Sequence, residues 1–235
     1  YEHSPLSRIQ QQLPVGAAWV GSGRGTSAEY DYNMGPDSVR KWAIAPTVGS
    51  IPVSTGIYNE FALTRNTTKD ENGNMTVTYT DITGQVILKK TALTVTAGAG
   101  YTNWLRTFYI YDDLGRLRFV IPPKAVEQIR QTWNLSDANI RNELCFRYDY
   151  DGRGRVINKR VPGGGELQMV YDTRDRLLFS QDSMQRAAGT WLVNYYDNFD
   201  RLVKTALYAT ASRQEELRLM ADTLTGGKPD VPGPD

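Results

Sequence analysis

A chain of 235 residues with 40% hydrophobic and 23% charged residues carries enough apolar material for a sizeable core, and no apolar run approaches the roughly 18 residues that a membrane-crossing helix needs. Lysine plus arginine (27) nearly balances aspartate plus glutamate (26), which leaves no basic surplus to draw the chain to nucleic acid or an anionic membrane. A single cysteine, Cys145 in the apolar run Leu144-Cys145-Phe146, rules out an internal disulfide and reads as a buried structural thiol, while the lone histidine, His3, cannot by itself supply a metal cluster or a Ser-His pair.

Residues 1–27 read as an irregular lead-in, because Leu13-Pro14-Val15-Gly16 and Gly21-Ser22-Gly23-Arg24-Gly25 break any period. The glycine-rich piece lacks the Gly-Lys-Ser/Thr ending of a phosphate cradle. Residues 28–96 read as an N-terminal β-hairpin region. Strands are expected at 28–33 and 38–44 around Met34-Gly35-Pro36-Asp37, and at 57–65. A clearer hairpin follows: Glu71-Asn72-Gly73-Asn74 carries a tight-turn signal, and Met75, Val77 and Tyr79 alternate with Thr76, Thr78 and Thr80. Val86 to Val95 continues the sheet, and Ala97-Gly98-Ala99-Gly100 reads as a link.

Residues 97–209 are dominated by one pattern. Tyr111-Asp112-Asp113-Leu114-Gly115-Arg116-Leu117 returns as Tyr150-Asp151-Gly152-Arg153-Gly154-Arg155-Val156, Tyr171-Asp172-Thr173-Arg174-Asp175-Arg176-Leu177 and Tyr196-Asp197-Asn198-Phe199-Asp200-Arg201-Leu202, with a degenerate copy at Tyr79–Val86. The turn positions fall at Gly84, Gly115, Gly154, Asp175 and Asp200, intervals of about 20 to 40 residues that point to a repeat architecture. Each copy reads as a β-hairpin. The leading Asp can accept a backbone hydrogen bond two residues on, and Gly or Asp can take the left-handed conformation that closes the turn. The Tyr and Arg that flank the turn, Tyr111 and Arg116 for example, are expected to face each other with the guanidinium on the ring. Turn chemistry accounts for the Asp residues and cross-strand pairing for the Arg residues, so the constellation asks for no catalytic explanation.

Between the first and second full copies the apolar spacing turns helical, with Val126, Ile129 and Trp133 following Pro123, and a second short helix is expected after Ser136; this insertion covers about residues 122–143. Beyond the repeats, residues 210–235 read as an amphipathic helix and a flexible tail. Ser212-Arg213-Gln214-Glu215 is a capping box, and Leu217, Met220, Ala221 and Leu224 form the apolar stripe. The fold class expected is mainly β: antiparallel hairpin repeats forming a curved open sheet or partial β-shell, with two or three short helices.

The Tyr-Asp-x-x-Gly-Arg-Leu units resemble the YD repeats of the Rhs family, which also occur in insecticidal toxin complex subunits and teneurins. Ser4-Pro5-Leu6-Ser7-Arg8 with Pro14 to Trp19, and the stretch Tyr109 to Pro123, look like the large Rhs-like surface proteins of Bacteroidetes-type bacteria. The resemblance implies a β-strand ribbon that in longer relatives winds into a hollow shell, often around a C-terminal toxic domain. The Asp-Pro-x-Gly-Leu type self-cleavage motif of many relatives is not matched by Asp230-Val231-Pro232-Gly233-Pro234. The expected role is therefore a non-enzymatic scaffold segment of a secreted or cell-surface protein, with no cofactor, no metal and no catalytic residue. Its expected partners are flanking YD repeats and a C-terminal domain of the same polypeptide. The alternative is a module that binds carbohydrate or another cell surface through exposed Tyr and Trp residues.

Overall fold

The computed structural model describes residues 1, 6–13, 25–94, 97 and 100–223. His3, most of the expected lead-in, much of the 97–100 link, Leu224 and the tail lie outside the described residues. The chain divides into two compact units, residues 1–46 with 50–137 and residues 47–49 with 138–235. All described strand pairings are antiparallel, and the architecture is mainly β in both units.

The first unit contains β1 (Gln11–Gln12), β2 (Thr26–Tyr32), β3 (Arg40–Ala43), β4 (Val53–Ile57), β5 (Thr64–Lys69), β6 (Met75–Thr80), β7 (Val86–Ala92), β8 (Trp104–Tyr111) and β9 (Leu117–Ile121). Seven of these run in the order β1-β2-β5-β6-β7-β8-β9, while β3 and β4 form a separate two-stranded hairpin. The period of two along each strand delivers one apolar face: Val77 and Tyr79, then Phe108 and Ile110, then Phe119 and Ile121 are all buried. Each such side chain contributes about 1.5–3 kcal/mol of burial. Helix α1 (Pro123–Ile129) starts on Pro123, whose fixed φ suits a first turn, and buries Ala125, Val126 and Ile129 against β8.

The strands expected at 28–33 and 38–44 form as β2 and β3, which pair with β5 and with β4 respectively. The strand expected at 57–65 is instead the end of β4, a turn, and the start of β5. Asn33 forces that turn. Its buried amide donates to Asn59 O (2.8 Å) and accepts from Leu63 N (2.7 Å), and Phe61 takes a left-handed φ of 64° while its N–H bonds Asn33 O. The apolar positions Ile57, Phe61 and Leu63 mimic a strand, but the clamp comes from a residue far upstream. The helical spacing also ends sooner than Trp133 suggests. Helix α1 stops at Ile129, and Trp133 sits beyond it at φ 51°, its N–H on Ile129 O. That conformation is rare for a bulky residue and persists because the ring is held by neighbours: Trp42, Tyr101 and Phe108 all lie within 6.4 Å of it, centroid to centroid.

The second unit contains α2 (Ala138–Leu144), β10 (Phe146–Tyr150), β11 (Val156–Val161), β12 (Gly165–Tyr171), β13 (Leu177–Gln181), α3 (Ser183–Ala187), β14 (Thr190–Tyr196), β15 (Leu202–Ala209) and α4 (Gln214–Thr223). The strands form a meander in sequence order. Helix α4 lays Leu217 and Ala221 onto Val170, Leu178, Phe179, Trp191 and Val193, with Met220 packed beside them. Its apolar stripe thus faces its own sheet. The expected capping box is displaced by one residue: Glu216, not Glu215, accepts the Arg213 N–H (3.0 Å), and Glu215 pairs with Arg218. Helix α3 was not expected, although Asp182 and Gln185 form a reciprocal capping box. With it the described helices number four rather than two or three. Cys145 is fully buried, which pushes its thiol pKa up to about 12 and leaves it a structural side chain.

Candidate functional site

The repeated turns share one geometry. In each, the first carboxylate oxygen of the leading Asp accepts backbone N–H groups two and four residues on: Leu114 and Arg116 on Asp112 (3.1 and 3.0 Å), Arg153 and Arg155 on Asp151 (2.9 Å each), Arg174 and Arg176 on Asp172 (2.9 Å each), Phe199 and Arg201 on Asp197 (2.9 and 3.0 Å). The second oxygen holds Nε of the closing Arg, at 2.9 Å for Arg116 and 2.7 Å for Arg155, Arg176 and Arg201. The residue before that Arg closes the loop at positive φ: Gly115 at 74°, Gly154 at 80°, Asp175 at 63° and Asp200 at 62°. Burial alone pushes the Asp112 and Asp151 carboxyls up, but the N–H donors and the guanidinium outweigh it and hold both below the ordinary range. At Asp197 the Arg201 N–H leads the same downward shift.

The expected pairing of each Tyr with its own Arg is not what forms. A register shift at every repeat puts Tyr111, Tyr150, Tyr171 and Tyr196 opposite Leu117, Val156, Leu177 and Leu202 instead. The Arg is drawn back onto its Asp, and the guanidinium groups of Arg155 and Arg176 then reach the following repeat. Arg155 lies 5.0 Å from the Tyr171 ring centroid and Arg176 lies 5.1 Å from that of Tyr196. Arg155 Nη1 also donates to Asp172 O (2.7 Å) and Asp175 (2.9 Å), and Arg153 reaches Thr173 O and Asp175. One repeat later the same contacts recur: Arg174 and Arg176 each hold Asp200 at 2.7 Å. The two Asp residues at the left-handed position therefore do more than tolerate it, because each is the acceptor for the preceding turn. In the first unit Gln85 stands in for Arg, donating to Gly115 O at 3.1 Å.

A sixth turn of this kind escaped the sequence pattern. Asp70 accepts from the N–H groups of Asn72 and Asn74, and from the Asn74 side chain, while Gly73 closes the loop at φ 82°. The Asp-x-x-Gly spacing was present, but Lys69 and Asn74 replace the Tyr and Arg that marked the other copies. Also unmarked was a buried polar trio in the first unit. The Tyr79 hydroxyl donates to Asp37 (2.7 Å), and Lys90 sits 3.9 Å from the same oxygen, donates to Gly100 O and lies between the Tyr79 and Trp104 rings. Burial drives the Lys90 pKa down to about 8 and raises that of Tyr79. At 1% exposure Lys90 is closed to any reagent, so the trio acts as an interior anchor. The signal was available: Lys90 shares the inward face of β7 with Leu88.

Nothing in this arrangement favours sugar stacking. The Tyr171 and Tyr196 faces carry guanidinium groups, and Trp191 is 1% exposed. No protein-family model and no curated protein sequence matches the chain. Among solved structures it is similar to a chain of the Photorhabdus luminescens Tc holotoxin pore, at 16% identity and a TM-score of 0.48, over 80% of this chain and 11% of that one. It is likewise similar to TcdB2-TccC3 without its hypervariable C-terminal region, at 19% identity and a TM-score of 0.48, over 80% of this chain and 9% of that one. The chain thus spans about a tenth of the length of the chains it resembles, and likeness at this level carries no functional argument.

Proposed function

We propose that this chain is a non-enzymatic wall segment of an extracellular YD-repeat protein of the Rhs type, in which successive hairpins build a β-surface that encloses or displays a C-terminal domain of the same polypeptide. The observation that carries the reading is the latch between turns: the Arg side chains of one repeat are bonded by the next, at 2.7–3.1 Å, in two successive steps. An enzyme or a ligand site gains nothing from identical locks at regular intervals, whereas a wall made of hairpins needs each one fixed to its neighbour. The end of the meander fits continuation. Among the described residues β15 pairs on one side only, with β14, and exposes Val203 (62%) where the preceding repeat buries Leu178 completely. Such an edge pairs readily with a further strand.

Amide hydrogen exchange tests this reading. The β15 N–H groups not bonded to β14 are expected to exchange rapidly in the 235-residue chain and to be protected at least about a hundredfold when the chain is part of a longer polypeptide supplying the next hairpin. Equal exchange in both contexts contradicts it.

A further inference from the structure

A cleft of about 520 Å³ opens in the first unit between β4 and the segment following α1. That volume lies within the range of small-ligand sites, and the repeat latches make no use of it. One wall is apolar, with Ile51, Pro52 and Val53; the other is the Trp133 ring. Among the described residues Arg40 is the only charged one lining it, and its guanidinium lies over the Trp133 ring at 4.6 Å. Stacking uses the face of a guanidinium and leaves the N–H groups in its plane free to meet a planar acceptor.

Those N–H groups are unused. Among the described residues the Arg40 side chain has no hydrogen-bond or ion-pair partner, and its Nε is shut away from solvent without one. The hydroxyl of Ser54, which lines the same cleft, is also buried and without a partner. A half-buried cation and a buried hydroxyl left unpaired on the lining of one cleft are each unfavourable, and an acceptor brought into the cleft against them offsets that cost. The strained φ of Trp133, fixed by its aromatic neighbours, sets the stacking plane that aims Arg40.

We propose that this cleft binds a carboxylate carried on a flat or aliphatic body, with the carboxylate on Arg40 and Ser54 and the body between Trp133 and the Ile51-Pro52-Val53 wall. The reading is independent of the scaffold role, since the latched turns lie elsewhere in the chain. A free organic acid and the C-terminal carboxylate of a polypeptide offer the same chemistry.

The test follows the Arg40 Nε–Hε resonance of the ¹⁵N-labelled full chain during titration with sodium benzoate, with benzamide as the uncharged control. Benzoate is expected to give a saturable shift that benzamide does not give. Arg40→Gln is expected to weaken binding about tenfold or more, and Ser54→Ala by a few-fold. Ser54→Ala removes no hydrogen bond made within the fold, so it decides the matter even where Arg40→Gln disturbs folding. Competition by a short peptide ending in a free phenylalanine carboxylate, tighter than benzoate, assigns the site to a polypeptide terminus; binding of benzoate alone assigns it to a free acid. Equal shifts with benzoate and benzamide, or benzoate affinity unchanged by Ser54→Ala, overturn the proposal.

Discussion

At position 200 an aspartate stands where positions 115 and 154 have glycine, at nearly the same positive φ, and its carboxylate holds Arg174 and Arg176. Two substitutions separate the conformational role from the latching role. Gly115→Val forces a branched side chain to φ 74° and brings its Cβ within 3.0 Å of Gln85 Nε2, so it is expected to destabilise by about 1–3 kcal/mol, whereas Asp113→Ala on the same loop stays within about 0.5 kcal/mol. Urea unfolding measures both, and equal effects contradict the turn geometry. Asp200→Gly keeps the conformation and removes the latch; with Asp200 half-exposed the expected loss is about 0.3–1 kcal/mol. The roles of Asp112 and Gly115 were legible in the sequence because their partners lie within four residues. The onward contacts of Arg155 and Arg176 were not, because those acceptors stand in the next repeat.

Elements were legible wherever their signals were local. The alternation of Met75, Val77 and Tyr79, the span Trp104–Tyr111 and the stripe of Leu217 and Ala221 each appear as read. Where a remote side chain decides, the local pattern misleads, as it does at residues 57–65 under the clamp of Asn33. Asn33→Ala leaves the Leu63 N–H buried without its acceptor and is expected to cost about 1–3 kcal/mol, with faster exchange of the Leu63 amide. An unchanged Leu63 exchange rate would show that the clamp does not set this turn. Leu217→Ala removes a core contact between α4 and its sheet, and the expected loss is about 2–4 kcal/mol by urea unfolding. An effect below about 0.5 kcal/mol contradicts the docking of α4.

For the whole molecule, stability responds to pH at both ends. Asp112 and Asp151 titrate below the ordinary 3.8 when folded, so their contribution is complete above that value and is lost as pH falls through the lower folded values. Lys90 acts in the opposite range. From about pH 8 the folded side chain releases its proton while the unfolded lysine, at 10.5, still holds one; the unfolded state then binds more protons and stability rises with pH. Tyr79, whose folded value lies above the ordinary 10.0, opposes this only at higher pH. The stability difference between the native chain and Lys90→Met is therefore expected to shift in favour of the native chain between pH 8 and 10, and a flat difference contradicts the buried position of Lys90.

The measurement that bears most directly on the scaffold reading is a double-mutant cycle on Arg176 and Asp200, comparing urea unfolding of the native chain, Arg176→Gln, Asp200→Asn and the double variant. Asparagine keeps the left-handed conformation at 200, so the cycle isolates the link between adjacent repeats. A coupling of about 1 kcal/mol is predicted for this partly buried 2.7 Å pair. Strict additivity of the two substitutions contradicts the account, because neighbouring hairpins would then be packed side by side without being locked together.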